Sequence, residues 1–347
     1  MLVSVTGGTG FVGSHSVAAF VRAGHRVRLL VREPSGVDRA LAPFGLGRDA
    51  VEIVVGDVVD DGAVGRAVRG ADAVLHAASV YSFDSRRHAS MRRTNERGTE
   101  VVLEAARKAG TGPIIHVSSV AALFPARGRV VREDTPVGRP RETYMATKAA
   151  AEAVARRHQA EGAPVVITYP PALLGPHDPG LGDQTARVRN VLRGLMPLWP
   201  LGGLPLGDVR DTATLHAGLL TSPGNDLNRY FGPGHYLTTR QYVRVLREVT
   251  GRRLPTVFLP ARAMVPVGLL AGLAQRAWPW HIPAEYGALY ICACATRIDE
   301  NADMHGIVPR PVVETVGDTV RWLRERGHLS ARQAGTAGED LSPVTAP

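Results

Sequence analysis

Leu2-Val-Ser-Val-Thr6-Gly7-Gly-Thr-Gly10-Phe-Val-Gly13 opens the chain, and Ser14 to Ala23 and then Gly24 follow it. A short run of β-formers meets a glycine-rich turn, then an apolar-periodic helix that stops at a C′-type glycine. The glycines are spaced G-x-x-G-x-x-G. Gly7 permits the tight turn, Gly10 lets backbone approach a pyrophosphate, and Gly13 lets the helix pack on the strand. Phosphates then sit on free N–H groups at the positive end of that helix. A glycine triplet alone says little, but directly after a strand and opening a helix it predicts a dinucleotide cradle.

The same alternation continues outward. Short apolar runs at 2–6, 26–31, 51–55, 73–76, 114–118 and 165–169 are separated by helix-like stretches such as 62–70 and 98–110. Strand alternating with helix predicts an α/β fold, a doubly wound parallel sheet with helices on both faces. From Gly175 onward Pro and Gly become dense, as in Met196-Pro-Leu-Trp199-Pro200-Leu-Gly-Gly203. The expected division is a Rossmann domain over 1–175, to which 205–232 return, with a smaller C-terminal substrate-binding cap over 176–204 and 233–329. The stretch 208–221 reads as a helix of the segment returning to the Rossmann domain, and 236–250, 261–277 and 314–327 read as helices of the cap. Residues 330–347, rich in Ala, Gly, Ser and Pro, read as a disordered tail.

Only two of the 41 basic residues are lysines, Lys108 and Lys148, and Lys148 closes Tyr144-Met-Ala-Thr-Lys148. Spacing i, i+4 puts both side chains on one face of a helix continuing to Ala160. A tyrosine hydroxyl titrates near about 10 in water. An ammonium nearby favours the phenolate and makes the tyrosine a usable general acid or base. The bare pattern also fits a surface lysine on an amphipathic helix.

Composition removes other classes. The first strand begins at residue 2, which leaves no room for a signal peptide, and no apolar stretch reaches the roughly 20 residues of a membrane span. Val265 to Ala274 is apolar but short, and reads as a cap helix. The two cysteines, Cys292 and Cys294, stand i, i+2 in one apolar run, where strand geometry points them the same way; reduced thiols of a cytoplasmic protein are expected. The net charge of +9 comes as scattered arginine pairs without interleaved aromatics, so no nucleic-acid partner is expected. No residues cluster as metal ligands.

With TGGTGFVG and YMATK in this order and separation, the sequence resembles the extended short-chain dehydrogenase/reductase family. Four further segments match in order. Gly56-Asp57-Val58 resembles the adenine-binding stretch, and His76-Ala77-Ala78-Ser79 the segment beside the nicotinamide ribose. Ser118-Ser119 ends the fifth strand, where the family keeps its catalytic serine. Tyr169-Pro170-Pro171-Ala172-Leu173-Leu174-Gly175-Pro176 is similar to its nicotinamide-side stretch. The resemblance covers Met1 to about His216 and runs on more weakly to about Leu329. It implies catalytic Ser119, Tyr144 and Lys148, with Tyr144 exchanging the proton, Lys148 on the nicotinamide ribose, and Ser119 orienting the carbonyl. Ser118 is the neighbouring choice expected to face the sheet. It further implies cofactor contacts at Gly7, Thr9, Gly10, Phe11, Val12, Gly13, Asp57, Val58, Ala77, Ala78, Ser79, Pro171, Ala172 and Leu173, besides Tyr144 and Lys148. Asn95 matches the family's N-x-x-G-T segment, either organising water and backbone or capping a helix. His76 and His116 read as satisfied core histidines.

The second strand ends Val31-Arg32-Glu33. Val31 stands where many NAD-using relatives carry Asp, and Arg32 can grip a 2′-phosphate. The pattern resembles the dihydroflavonol-reductase-like branch, which uses NADP; NAD is the less favoured choice, with Glu33 its one argument. Nucleotide-sugar members commonly carry an Arg that binds the diphosphate. Here that alignment gives Leu204, followed by Pro205. Apolar Leu195, Met196, Leu198, Trp199, Leu201 and Leu204, with Tyr81 and Phe83, suit an apolar or aromatic carbonyl substrate; Tyr81, Phe83 and Trp199 are the expected substrate contacts. The leading expectation is thus an NADP-dependent ketoreductase or alcohol dehydrogenase. An epimerase or dehydratase with tightly held nicotinamide is the second reading, and a cofactor-sensing regulatory protein the third. The resemblance also implies a homodimer built on the helices around 99–109 and 144–160.

Overall fold

The computed structural model describes residues 1–81, 87–126, 128, 130–222, 227–261, 263–264 and 286–338. In chain order the strands are β1 (Leu2–Thr6), β2 (Arg26–Val31), β3 (Glu52–Val55), β4 (Ala73–His76), β5 (Ile114–Val117), β6 (Val130–Val131), β7 (Val165–Tyr169), β8 (Ala172–Leu174), β9 (Leu198–Leu201), β10 (Gly203–Asp208), β11 (Arg229–Phe231), β12 (His235–Thr238), β13 (Val257–Pro260) and β14 (Arg297–Ile298). Seven of them form one parallel sheet in the order β11-β7-β5-β4-β1-β2-β3. Chain order reverses at β1, between β2 and β4, which creates the crevice where doubly wound sheets hold ligands.

Helices α1 (Phe11–Arg22), α2 (Ser35–Leu41), α3 (Asp61–Val68), α4 (His88–Arg92), α5 (Gly98–Lys108), α6 (Thr143–Ala160), α7 (Asp183–Leu192), α8 (Val209–Gly218) and α9 (Thr239–Thr250) follow. The sheet residues alternate faces as a strand must. Val3, Val5, Leu29 and Leu75 pack with Val17 and Phe20 of α1 and Leu215 of α8. Val74, Ile114 and Ile167 pack with residues of α3, α5 and α6 on the other face.

Beyond β7 the chain builds a second layer. Strands β12, β10 and β8 make a three-stranded sheet, antiparallel between β10 and β12 and parallel between β10 and β8. A third core joins α7, α9 and the helix Val312–Glu325 through Val188, Leu192, Trp199, Tyr242, Val320 and Leu323. Asp208 locks this layer to the first. Its carboxylate caps α8, accepts from Thr315 Oγ1 at 2.9 Å, and pairs with Arg210, which also reaches Asp318 at 2.7 Å.

The fold class agrees with the sequence reading; several local expectations do not. Residues 236–250 are not one helix, because β12 pairs with β10 as far as Thr238. The Thr238 side chain and Gln241 then form a capping box that starts α9. Cys292 and Cys294 lie on a helix, Tyr286–Cys294, so their i, i+2 spacing points them apart. The tail expected to be disordered from residue 330 is ordered as far as 338. Ser330 and Gln333 form a capping box, Arg252 donates to the Gln333 carbonyl at 2.7 Å, and Ala334 and Ala337 are buried. Small residues fill the space between α9 and Val312–Glu325 that their polar neighbours hid. Residues 339–347, and most of the helix expected at 261–277, lie outside the described residues.

Candidate active site

The turn between β1 and α1 closes on backbone. Gly7 has φ 76°, and a Cβ there would strike the Ala77–Ala78 peptide; one on Gly13 would overlap the Gly7 carbonyl oxygen. Gly10, by contrast, has only that carbonyl within reach, at 3.3 Å from its would-be Cβ, and faces the cavity. Gly10 caps α1 without a side-chain bond, and no acidic residue stands in the first turn. Exposed helix N–H groups beside a glycine-lined wall suit a pyrophosphate, so the residues present fit a dinucleotide.

At the far side, Ser119 stands two residues past β5, capping the short turn Val120–Leu123, and Tyr144 and Lys148 descend one face of α6. Glu142 starts that helix, its carboxylate accepting from the Tyr144 and Met145 amides at 2.9 and 2.8 Å. The Ser119 side chain faces Tyr144. Burial pushes Tyr144 above the usual tyrosine range, against the opposing pull of Ser119. Lys148 is buried, donates to the Val117 carbonyl at 3.1 Å, and is lowered to about 8 by burial, with Glu152 opposing. Ser118 is also buried, its hydroxyl without a partner. Both serines line the cavity.

Glu152 continues the same face one turn below Lys148. It is fully buried and accepts from Arg156 at 2.6 Å and from the Tyr169 hydroxyl at 2.7 Å. Asn95 sits in a π-helical turn, Arg93–Arg97, between α4 and α5. Its amide clamps both ends of Val80, accepting from Val80 N at 2.7 Å and donating to Val80 O at 3.0 Å. It also donates to Thr147 at 3.0 Å and accepts from Ser79 at 3.1 Å. Asn95 is therefore an organiser of the Ser79 loop rather than a helix cap. His76 is satisfied by Thr6 and Thr99, as expected of a core histidine; His116, stacked on it, has no partner on either nitrogen. Burial lowers both, His76 to about 3, so neither is a base.

The glycine turn, Ser118, Ser119, Tyr144 and Lys148 line one cavity of about 450 Å³ with a mostly apolar wall. Of the cofactor residues expected, Gly7, Thr9, Gly10, Phe11, Val12 and Gly13 border it on one side. Ala77, Ser79, Pro171, Ala172 and Leu173 border it on the other. Ala78 instead backs the Gly7 turn with its peptide. Arg32, exposed at the end of β2, and Asp57 and Val58 do not border the cavity; Val58 packs into the core beside Gly98. Arg39 of α2 does border it, a residue that nothing in its local pattern distinguishes from a surface arginine.

The substrate expectations divide. Tyr81 stands edge-on to Tyr144, ring centroids 4.5 Å apart, and its hydroxyl accepts from Gln184 at 3.2 Å. Phe83 lies outside the described residues. Trp199 is a correction: it is 3% exposed, packs on Tyr242 and donates to the Met196 carbonyl, so it builds the second layer's core and does not border the cavity. Leu195, Leu198 and Leu201 face outward. Leu204 and Pro205 do line the cavity, joined by Phe124 and Ile291, which the sequence reading missed, and by Asp183, Gln184 and Arg187 of α7. Among the described residues, no group of three or more His, Cys, Asp or Glu could hold a metal ion.

Residues 3–230 match the NAD dependent epimerase/dehydratase family. A putative dihydroflavonol 4-reductase of Synechocystis sp. is 34% identical, covering 94% of this chain and 96% of its own length. A 4-hydroxy-2-methyl-3-oxo-4-farnesyl-3,4-dihydroquinoline-1-oxide ketoreductase of Stigmatella aurantiaca is 28% identical over 99% of both chains. The solved structure of gox2253 superposes with TM-score 0.77 at 27% identity, covering 95% of this chain and 99% of that one. The chain belongs to the NAD-dependent epimerase/dehydratase family of extended short-chain dehydrogenases/reductases, and is an NAD(P)-dependent oxidoreductase.

Proposed function

We propose that the protein is an NADP-dependent ketoreductase, transferring hydride between nicotinamide and a ketone or secondary alcohol of a small, largely apolar molecule. The observation that carries this reading is that Ser119, Tyr144 and, one turn below it, Lys148 line the wall of one mostly apolar cavity. Bound nicotinamide supplies or accepts the hydride. Ser119 and Tyr144 together hold the substrate oxygen, and Tyr144, kept protonated by burial, donates its proton when that oxygen gains charge. Lys148 steadies the ribose from below and, as an ammonium, stabilises the negative charge that Tyr144 takes on as it gives up its proton. The cradle from Gly7 to Gly13 holds the pyrophosphate, Asp57, Val58 and Ala78 the adenine and ribose surroundings, and Arg32 and Arg39 the 2′-phosphate. Tyr81, Phe124, Leu204 and Ile291 shape the substrate side, and the farnesylated ring system named for one relative supports an apolar, lipid-like substrate. With Leu204 and Pro205 at the diphosphate-clamp positions, a nucleotide sugar is disfavoured over such a ketone.

The test is NADPH oxidation with a panel of aromatic, cyclic and long-chain ketones. Tyr144→Phe keeps the ring and removes the proton, so turnover should fall by at least the roughly 10²-fold typical of a lost general acid, with cofactor binding kept. Lys148→Arg keeps the charge but not the compact ammonium, and should also lose most activity. Near-normal turnover in either variant would count against the assigned roles. Cofactor that survives purification without net NADPH turnover would turn the reading to an epimerase or dehydratase.

A further inference from the structure

We infer that the substrate carries a second, neutral oxygen beyond its reacting carbonyl, held by Arg187 and Gln184 of α7; this rests on the proposed reduction of an apolar ketone. Helix α7 is two-faced. Val188, Val191 and Leu192 bury one side in the core of the second layer. Arg187 follows Gln184 by three residues and Asp183 by four, so these three share the other side. On a surface helix that side would meet water, but here all three are half-buried and line the cavity. Asp178 fixes the helix in this attitude. Buried, it accepts from the Gly180 and Gly182 amides at 3.2 and 2.8 Å and from the Thr185 hydroxyl at 2.7 Å.

The polar side of α7 lies at the substrate end. Gln184 donates to the Tyr81 hydroxyl at 3.2 Å, and the Tyr81 ring stands edge-on to Tyr144 with centroids 4.5 Å apart. The Tyr81 ring thus separates that side from the proton donor. Groups from three parts of the chain surround the Arg187 charge. Burial raises Tyr81, Tyr242 of α9 and Cys292 of the helix Tyr286–Cys294 above their ordinary ranges, and Arg187 opposes the rise in all three. A cation that acts on all of these points into the molecule, not along its surface. Phe124, Leu204, Pro205 and Ile291 supply apolar wall around it.

A pure hydrocarbon at that end would cover charged and amide donors without offering them an acceptor. Apolar pockets fix the orientation of a ligand through a few such placed groups. An oxygen on the substrate answers both donors. Asp183 decides its charge, because a carboxylate or phosphate reaching Arg187 would also meet the Asp183 carboxylate on the same side of the helix. A carbonyl or hydroxyl oxygen avoids that repulsion, and a hydroxyl can donate to Asp183 besides. The substrate class is therefore a mostly apolar ketone oxygenated at its far end.

Phenylbutanone and its para-hydroxy and para-carboxy derivatives, each with NADPH, test this. The hydroxy ketone should exceed the parent in kcat/KM by at least about tenfold. The gain should lie in KM, since the contact is made in ground and transition state alike. The carboxy ketone should be no better than the parent. Arg187→Met keeps an apolar stem without the guanidinium, and should bring the hydroxy-to-parent ratio close to unity. Gln184→Leu serves should that variant fail to fold, and should lower the ratio by at least about threefold. A wild-type ratio near unity, or a folded variant that keeps the full ratio, overturns the inference. A preferred carboxy ketone overturns it too, by making that end an anion site. Calorimetric titration of the same ketones into the NADP-bound protein separates the two readings. Tighter binding of the hydroxy ketone without turnover would overturn the reaction reading alone. Turnover without that preference would overturn this inference alone, and the lack of both would overturn the two together.

Discussion

Lys148 shows how much of the site rests on single side chains. Burial lowers its folded pKa from 10.5 to about 8. Between those values the unfolded chain still binds the proton and the folded chain has released it. Stability therefore rises with pH across that window. Comparing wild type with Lys148→Met cancels every other titrating group; the wild type should gain stability on the variant from about pH 8 to 10.5, read by denaturant unfolding. A flat difference would mean that Lys148 is better solvated than its position implies. Cofactor choice is also a residue question. No carboxylate borders the cavity near β2, and Arg39 does. Arg39→Ala and Arg32→Ala should each weaken NADPH binding by about tenfold, on the order of 1.4 kcal/mol, and spare NADH. Equal losses for both cofactors would assign those arginines to folding instead. Arg32 stands out in the sequence because it follows a strand end in a familiar pattern, yet it does not border the cavity. Arg39 does not stand out, since only the approach of α2 to the glycine turn brings it to the cavity.

Two elements do most of the positioning. Helix α6 carries Tyr144, Lys148, Glu152 and Arg156 at four-residue steps, so one face holds a phenol, an amine, a carboxylate and that carboxylate's hydrogen-bonded partner. The upper half of that face was readable from spacing alone. The lower half was not, because Glu152 gains its meaning from Tyr169 on β7. Helix α1 depends on contact with its own turn. Gly13→Ala would drive a methyl group into the Gly7 carbonyl, and backbone cannot yield as a side-chain end can. The variant should lose about 1–3 kcal/mol of stability and bind dinucleotide more weakly, measured by unfolding and cofactor titration. Unchanged values for both would show that the turn has slack. The π turn at Arg93–Arg97 lies between these cases: the N-x-x-G-T pattern located Asn95, but only the turn aims its amide at Val80 and Thr147.

At the scale of the whole molecule, α5 and α6 pack side by side, and Arg157 of α6 pairs with Glu100 of α5. A homodimer burying both pairs of helices is the expected assembly. Ala153, exposed on α6, should tolerate Arg in the monomer and not in such a contact. Ala153→Arg should thus shift sedimentation to the monomer and leave folding intact; an unchanged oligomer would place the interface elsewhere. What the sequence by itself determined is local and periodic. Strand alternation, the glycine spacing, and the i, i+4 pair on a helix follow from backbone geometry, which each short segment carries within it. What only the tertiary structure decided is direction. Trp199 looked inward to a substrate and in fact turns into the second layer. Leu198 faces outward from the same strand, and residues 330–338 fill a space between two distant helices. A strand's pattern says that its side chains take two faces, but which face meets cavity, core or surface depends on what packs against it from elsewhere in the chain.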